Sequence, residues 1–252
     1  MAIRALAVIL SHKPLDMRIS ILFTLFSLML CLSSCDSKPE PASIEEEPAT
    51  TTEVVKQKPK DDTGIKDDYR GSDRLAWQRP DRIINLLAKE GETLEDKTVA
   101  DIGAGTGYFT LRLAPKVEKV IALDIDPSFI NYLDSIKTLQ LPESVQDHLE
   151  TRLTPVDRPQ LEHNEIDAAL IVNTFMFIEN KTAYLKRLKD ALVDTGRVVI
   201  VDFKRKKTPF GPPAELRLPL YRTEELLEEA GYQNIITDDR TLDFQYIVIA
   251  DK

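Results

Sequence analysis

Three alternating glycines, Gly103, Gly105 and Gly107, follow a short apolar segment at residues 99–102 and constrain this chain more than any other feature. The apolar segment predicts a buried strand, and residues 108–114 predict a helix directly after the glycines. A glycine turn between a strand and a helix lets the backbone approach a ligand closely. The spacing is neither Gly-x-Gly-x-x-Gly nor a loop that ends in Gly-Lys-Ser/Thr. It therefore argues against dinucleotide and nucleoside triphosphate sites.

An acidic residue accompanies this turn on each of the first two predicted strands. Asp101 lies just before the glycines, and Asp124 ends the next predicted strand at residues 119–124. An acid about 20 residues beyond the first glycine is placed to accept hydrogen bonds from both ribose hydroxyls of an adenosyl ligand. An exposed strand-end aspartate without a ligand is the alternative, and the glycines favour the binding site.

The residues from Asp101 to Gly107 resemble motif I of the class I S-adenosylmethionine-dependent methyltransferases, and residues 201–226 look closest to the small-molecule branch of that family. The resemblance covers roughly residues 71–252 and follows the family's order of elements. It implies an α/β fold, a doubly wound Rossmann-like sheet with a C-terminal antiparallel hairpin, and S-adenosylmethionine as the cofactor. The cofactor-binding residues that it implies are Asp101, Gly103, Ala104, Gly105, Gly107, Asp124, Ile125 and Asn173.

Apolar periodicity and turn residues predict the remaining elements. One helix begins near Pro80, and another begins after Asp126, which caps it, with Pro127 in its first turn. Thr223 is predicted to cap the last helix and Gly231 to end it. Further strands are predicted at residues 149–153, 166–172, 197–203, 235–236 and 244–249, and a further helix at 182–192.

The segment after the fourth predicted strand reads Asn173-Thr174-Phe175-Met176-Phe177. The family that the chain resembles commonly carries Asp and then His-His here, beside the transferred methyl group, so its usual general base is missing. A neutral asparagine cannot take a proton near neutral pH. We therefore expect an acceptor that is already nucleophilic, such as a thiolate, a neutral amine or a metalloid, or else a protein that only binds. The predicted substrate-pocket residues are Trp77, Phe175 and Met176.

Two features leave alternative interpretations open. Trp77, the only tryptophan, could line the methyl site, because an aromatic face attracts a sulfonium cation, or it could pack on the edge of the sheet. The basic run at residues 204–207 could hold an anionic substrate or a lipid head group, or it could be a solvated loop in an acidic chain.

Charge and cysteine usage exclude several kinds of site. The net charge of −9 argues against nucleic acid as a partner, because phosphate binding needs a basic surface. The two cysteines, Cys31 and Cys35, precede the predicted domain, so no disulfide framework or cysteine-based zinc site is expected in it. No metal site is predicted. The expected partner is a small-molecule acceptor, and the expected state is a monomer.

The N-terminal residues predict a membrane address. A positive start at Met17 and Arg18 precedes an apolar run at residues 19–32, which is too short to span the roughly 30 Å hydrocarbon core comfortably. The end of this run, Leu32-Ser33-Ser34-Cys35, resembles the lipobox of bacterial lipoproteins. The resemblance implies lipidation of Cys35 and a true start at Met17. An uncleaved N-terminal anchor is the alternative.

Residues 36–70 are rich in proline and acidic residues and poor in large apolar ones, which predicts a disordered tether. The predicted domains are an export signal with lipobox at 1–35, this tether at 36–70 and a methyltransferase domain at 71–252. The sequence thus predicts an extracytoplasmic, lipid-anchored methyltransferase on the periplasmic side of a membrane, acting on a small-molecule or lipid-like acceptor. The alternative function is an extracytoplasmic binding protein or scaffold that uses a catalytically silent methyltransferase fold.

Overall fold

The computed structural model describes residues 73–252, so the predicted signal, Cys35 and the predicted tether lie outside the described residues. One seven-stranded sheet in the order β3-β2-β1-β4-β5-β7-β6 forms the centre. All neighbouring strands run parallel except β5–β7 and β6–β7, so the predicted doubly wound sheet with a C-terminal antiparallel hairpin is confirmed. The strands are β1 (Thr98–Ile102), β2 (Lys119–Asp124), β3 (Leu149–Leu153), β4 (Ile166–Val172), β5 (Leu192–Phe203), β6 (Gln233–Asp238) and β7 (Gln245–Asp251).

The helices begin where the sequence supplies caps and prolines. The Asp126 carboxylate accepts from the Ser128 N–H at 2.8 Å, and Pro127 opens the helix, as predicted. Pro80 likewise opens its helix. Within the described part of the chain, no helix combines the length and the apolar character that a membrane span requires. The helices are α1 (Arg74–Gln78), α2 (Pro80–Asn85), α3 (Thr110–Leu113), α4 (Pro127–Gln140), α5 (Glu143–Gln146), α6 (Lys181–Ala191) and α7 (Leu220–Ala230), with a 3-10 turn at Phe175–Phe177.

Two predicted helix boundaries are wrong. Helix α7 starts at Leu220, so Thr223 lies inside the helix, where its buried hydroxyl pairs with that of Tyr246 at 2.9 Å. A buried hydroxyl needs a partner, and here the neighbouring strand supplies it. The helix predicted at 108–114 is the shorter α3, because the turn continues through Gly107, whose N–H donates to the Ala104 carbonyl at 2.9 Å.

Alternation along the strands builds a separate apolar layer on each face of the sheet. Ala100 and Ile102 of β1 point into the layer that α6 and α7 cover. Val99 points into the opposite layer, under α2, α3 and α4. Both faces of the central strands are therefore covered by helices, which explains their near-continuous apolar runs.

The strand order reverses direction between β1 and β4. The chain leaves β1 toward one flank of the sheet and leaves β4 toward the other, so a crevice opens where their carboxyl ends lie side by side. The glycine turn follows β1, and the segment that begins with Asn173 follows β4. The fold thus places both predicted motifs at one crevice.

Candidate functional site

Two adjoining cavities open at this crevice. We term them the small cavity, of about 280 Å³, and the large cavity, of about 600 Å³. Asp101, Ala104 and Asn173 line the small cavity, whereas Asp124 and Ile125 line the large one. The residues that line both cavities are Gly103, Gly105, Phe129, Thr174 and Phe177.

The structure thus brings together every predicted cofactor residue except Gly107, which lines neither cavity. A Cβ at Gly107 would lie 2.5 Å from Leu133 of α4, so this glycine allows α4 to pack closely. Gly103 has φ +73, and a Cβ there would lie 2.3 Å from the Thr174 hydroxyl. A Cβ at Gly105 would meet nothing within 4 Å, so that position leaves the cavity space open for a ligand.

The backbone of the glycine turn satisfies its own hydrogen bonds. Gly103 and Ala104 both donate to the Leu123 carbonyl, at 2.8 and 3.0 Å, and Gly105 donates to the Asp124 carboxylate at 2.8 Å. Phosphate-binding loops instead leave such N–H groups for the ligand. The geometry therefore supports the sequence argument against a dinucleotide and favours a ligand that is not held through phosphate.

Asp124 is 7% exposed and lines the large cavity. Burial raises its pKa, although the N–H groups of Asp126 and Gly105 act in the opposite direction. Each carboxylate oxygen accepts one backbone N–H, since Asp126 donates to Oδ1 at 3.0 Å and Gly105 to Oδ2. Each oxygen keeps a lone pair, so the carboxylate can accept two further donors, the number that a ribose diol offers.

Asp101 occupies the small cavity and is 3% exposed. Burial raises its pKa to about 6, while the Thr110 hydroxyl, which donates to Oδ2 at 2.6 Å, acts in the opposite direction. The negative charge of Asp124 raises this pKa further. A buried carboxylate in this state gains strongly from a cationic ligand group such as an α-ammonium.

Arg74 of α1 lines the same cavity and was not among the predicted site residues. Its guanidinium lies 3.8 Å from the centroid of the Tyr108 ring, and Arg112 lies 4.0 Å from that centroid. The buried Tyr108 hydroxyl has no partner among the described residues. A guanidinium and a carboxylate in one small cavity fit the two charges of an α-amino acid. The sequence predicts the helix that begins near Pro80 but not the short helix α1 before it, which carries Arg74.

A chain of buried side-chain hydrogen bonds links Arg74 to Asn173. Arg74 Nε donates to Gln78 Oε1 at 2.7 Å, and Gln78 Nε2 donates to Gln245 Oε1 at 3.2 Å. Gln245 Nε2 in turn donates to Asn173 Oδ1 at 2.5 Å. Asn173 Nδ2 is buried and has no partner in the described part of the chain. These four residues are termed the amide relay below.

The predicted substrate-pocket residues Trp77, Phe175 and Met176 do not line either cavity. Trp77 packs in an aromatic cluster, 4.8 Å from Phe210 between ring centroids, and Met176 belongs to the same cluster. Phe175 is fully buried in the core. The 3-10 turn directs Phe175 inward and Phe177, which is 57% exposed, outward over both cavities. The structure therefore offers Phe177 as the aromatic wall.

Neither histidine of the described residues reaches the cavities. His148 Nδ1 lies 3.0 Å from the Ala114 carbonyl, and His163 pairs with Asp190 at 2.9 Å on the surface. The titratable cavity residues are carboxylates, tyrosines and Arg74. Within residues 73–252, no group of three or more side chains is arranged to hold a metal ion.

The amino-acid sequence is similar to those of methyltransferases. Residues 100–198 match the family model of a methyltransferase domain. The tRNA U34 carboxymethyltransferase of Ruthia magnifica subsp. Calyptogena magnifica is 29% identical over 189 residues, which cover 69% of this chain and 54% of that protein. The chain thus spans about half the length of this curated relative.

Solved structures agree on the fold. A SAM-dependent methyltransferase from Aquifex aeolicus superimposes with a TM-score of 0.62 at 22% identity, over 72% of this chain and 93% of that one. The [4+2]-cyclase SpnF superimposes with a TM-score of 0.58 at 14% identity, over 74% and 84%. The chain therefore has the fold of the SAM-dependent methyltransferases, its residues 100–198 match a methyltransferase domain, and S-adenosylmethionine is its expected cofactor.

Proposed function

We propose that this chain is a SAM-dependent methyltransferase that acts on a small-molecule or lipid-like acceptor. One observation carries the proposal: two cavities meet on the glycine turn, with Asp124 in one and Asp101 and Arg74 in the other. A ligand that fills both needs a diol at one end and an amino acid at the other.

The residues present fit S-adenosylmethionine. Asp124 would hold the ribose hydroxyls, and Asp101 and Arg74 would hold the α-ammonium and α-carboxylate groups. Pro155 and Val156, which line the large cavity, would supply an apolar wall for adenine. When bound, S-adenosylmethionine supplies a methyl group on a sulfonium cation.

The chain's own contribution to transfer would be alignment and exclusion of water. Phe177 lines both cavities, and Asn173 lines the small one. Holding two reactants in line lowers the barrier without any proton transfer. No histidine of the described residues lines the site, which favours an acceptor that needs no deprotonation by the protein.

Calorimetric titration of S-adenosylhomocysteine into the full chain tests the cofactor site. Two charge-assisted hydrogen bonds should contribute on the order of 3 kcal/mol, so Asp124→Ala should weaken binding roughly a hundredfold. Asp96→Ala, which removes an exposed acid that lines neither cavity, is the matched control. Equal affinity of the wild type and Asp124→Ala would refute the role of Asp124.

A binding protein or scaffold on a silent methyltransferase fold remains the second candidate. The lack of a histidine base favours it, and so does the chemistry of the cofactor, which is charged and does not cross a bilayer unaided. SpnF is a cyclase by its name, which illustrates that this fold serves more than one chemistry. Incubation with labelled S-adenosylmethionine and with membrane and small-molecule extracts separates the two. Tight binding without transfer to any extract would support the binding protein.

We also propose that lipidated Cys35 anchors the domain on the extracytoplasmic side of a membrane. Support comes from the sequence alone, through the apolar run and the Leu32-Ser33-Ser34-Cys35 segment. Labelled fatty acid should enter the wild type and the matched control Cys31→Ser but not Cys35→Ser. Labelling of Cys35→Ser, or recovery of the wild type without membranes, would contradict the anchor.

A monomer that does not bind nucleic acid completes the proposal. The relative named above acts on tRNA, as its name states, but the net charge of −9 disfavours phosphate binding by this chain. A mobility-shift titration with tRNA at about 0.1 M salt should show no complex. Light scattering of the full chain in detergent should give one chain per particle.

A further inference from the structure

The amide relay has a fixed direction, and Arg74 sets it. A guanidinium only donates hydrogen bonds, so the Gln78 side chain must turn its oxygen toward Arg74. The Gln78 nitrogen then faces Gln245, which must present its own oxygen. The Gln245 nitrogen consequently faces Asn173 Oδ1. Every amide in the relay therefore points its N–H groups away from Arg74.

Burial keeps this direction from reversing. Gln78 and Gln245 are fully buried, and Arg74 and Asn173 are 8% and 7% exposed. A reversed Gln78 or Gln245 would place donor against donor and oxygen against oxygen at its two contacts, and a reversed Asn173 would place donor against donor at its contact with Gln245. Each unmade buried hydrogen bond costs roughly 1–3 kcal/mol, so the arrangement has one stable direction.

The relay ends in a donor that lacks a partner. Asn173 lines the small cavity, and its Nδ2 is buried and bonds to no described residue. The backbone holds Asn173 at φ 58, and its N–H donates to the Val201 carbonyl at 2.9 Å. An asparagine in isolation could offer either its oxygen or its nitrogen to a ligand. Here the relay occupies the Asn173 oxygen, so the nitrogen is the group that remains for a ligand.

We infer that Asn173 determines the class of methyl acceptor, by donating a hydrogen bond to a lone pair of an oxyanion or a thiolate. This inference rests on the proposed function and narrows it, since amines were also expected from the sequence. A neutral amine has a single lone pair, and when it points that pair at the methyl group it turns only N–H groups toward its surroundings. These N–H groups and the Asn173 N–H are all donors, so no hydrogen bond forms between them.

The transfer balances without a protein base. One lone pair of the oxygen or sulfur anion forms the new bond to the methyl carbon, and the carbon–sulfonium bond breaks with its electron pair retained on that sulfur. A second lone pair of the anion accepts the Asn173 N–H. The product is a neutral ether, ester or thioether with no proton to remove, consistent with cavities that contain no histidine of the described residues.

Two ligands of known structure test the direction of this hydrogen bond. S-adenosylhomocysteine has a bare sulfur at the reacting position, whereas its analogue sinefungin carries an ammonium group there. Calorimetry on the full chain should show that the wild type prefers S-adenosylhomocysteine. Asn173→Asp replaces the donor by an acceptor and should move the affinity ratio toward sinefungin by about tenfold or more.

Gln245→Glu should also present an acceptor instead of a donor to the ligand, but without altering a cavity residue, because residue 245 lines neither cavity. A carboxylate at 245 only accepts, so Asn173 must turn its nitrogen toward it and its oxygen toward the ligand. The ratio should shift toward sinefungin again. This variant also carries the test if Asn173→Asp does not fold.

Asn164→Asp is the matched control and should leave the ratio unchanged, since Asn164 has a similar positive φ of 52 and lines neither cavity. An unchanged ratio in both relay variants overturns the inference. An equal loss of both ligands also overturns it, because Asn173 would then contact a part that they share. A wild type that binds neither ligand overturns the proposed function, and this inference with it.

Discussion

The central sheet has two edges formed by the ends of its strands, and they differ in their buried polar groups: one edge pairs them, and the other leaves two polar atoms without partners in the described part of the chain. At the edge away from the site, Arg197 pairs with Asp251 at 3.1 Å and donates to the Leu86 and Ala88 carbonyls. Lys252 nearby donates to the Leu192 carbonyl at 2.6 Å. At the site edge, Asn173 and Asp202 each keep a buried polar atom without a partner among the described residues.

This difference separates stability from function. A buried polar atom without a partner destabilises the folded state. Asn173 lines the small cavity, where a ligand can supply the missing partner. The satisfied edge should therefore respond to mutation in its unfolding free energy. Mutations at the site edge should change ligand binding or the pH dependence of affinity and stability.

Arg197→Met should produce the largest loss of stability. It leaves Asp251 and two backbone carbonyls without their shared donor, and breaking a mostly buried pair costs on the order of 3 kcal/mol. Urea denaturation measures this loss, and S-adenosylhomocysteine affinity should stay within about twofold of the wild type. A large loss of affinity in a folded Arg197→Met protein would show that the two edges are coupled.

At the site edge, Asp202 is a buried carboxyl group whose replacement should stabilise the fold, in contrast to Arg197→Met. It is fully buried, and the Met176 N–H donates to its Oδ2 at 3.0 Å. Burial raises its pKa to about 8, while the Met176 N–H and the positive charge of Lys181 act in the opposite direction. Because the folded state holds a proton that the unfolded state releases, this group lowers the stability of the fold as pH rises from about 4 to about 8.

Asp202→Asn should remove that pH dependence. The variant should match the wild type near pH 4 and become more stable than it above pH 8, by on the order of 5 kcal/mol. Thermal or urea unfolding at several pH values between 4 and 9 measures the difference. A wild type whose stability rises over that interval relative to Asp202→Asn would contradict the raised pKa.

Local sequence signals predicted the fold and the backbone part of the site. The glycine turn, Asp124 and the helix cap at Asp126 are features of short segments, so residue spacing alone was sufficient to predict them. Arg74 and Gln245 were not predicted, because their roles depend on contacts that no periodicity encodes. Arg74 lies over Tyr108, 34 positions away. Gln245 bonds to Gln78 and Asn173, 167 and 72 positions away. Phe177 replaced Phe175 as the cavity wall because the direction of each residue in a 3-10 turn depends on the packing beneath it.

Cofactor affinity should depend on pH through Asp101. Its pKa of about 6 without ligand means that the carboxyl is protonated at pH 5 and cannot pair with an α-ammonium group. The affinity for S-adenosylhomocysteine should therefore fall about tenfold between pH 7 and pH 5. Asp101→Asn should bind weakly and without this dependence. Calorimetry at matched ionic strength measures both, and a flat wild-type profile would contradict the assignment.

The smallest expected effect belongs to the two histidines of the described residues, which lie outside both cavities. His148→Gln and His163→Gln should leave methyl transfer from labelled S-adenosylmethionine unchanged at saturating cofactor. Any inflection near pH 6 at low cofactor belongs to Asp101 and should persist in both variants, because neither histidine lines the site. Saturating cofactor should remove it, since a bound cation lowers the pKa of a neighbouring carboxyl. Loss of transfer in either folded histidine variant would overturn the mechanism without a protein base, and would place the proton acceptor outside the crevice that the fold builds.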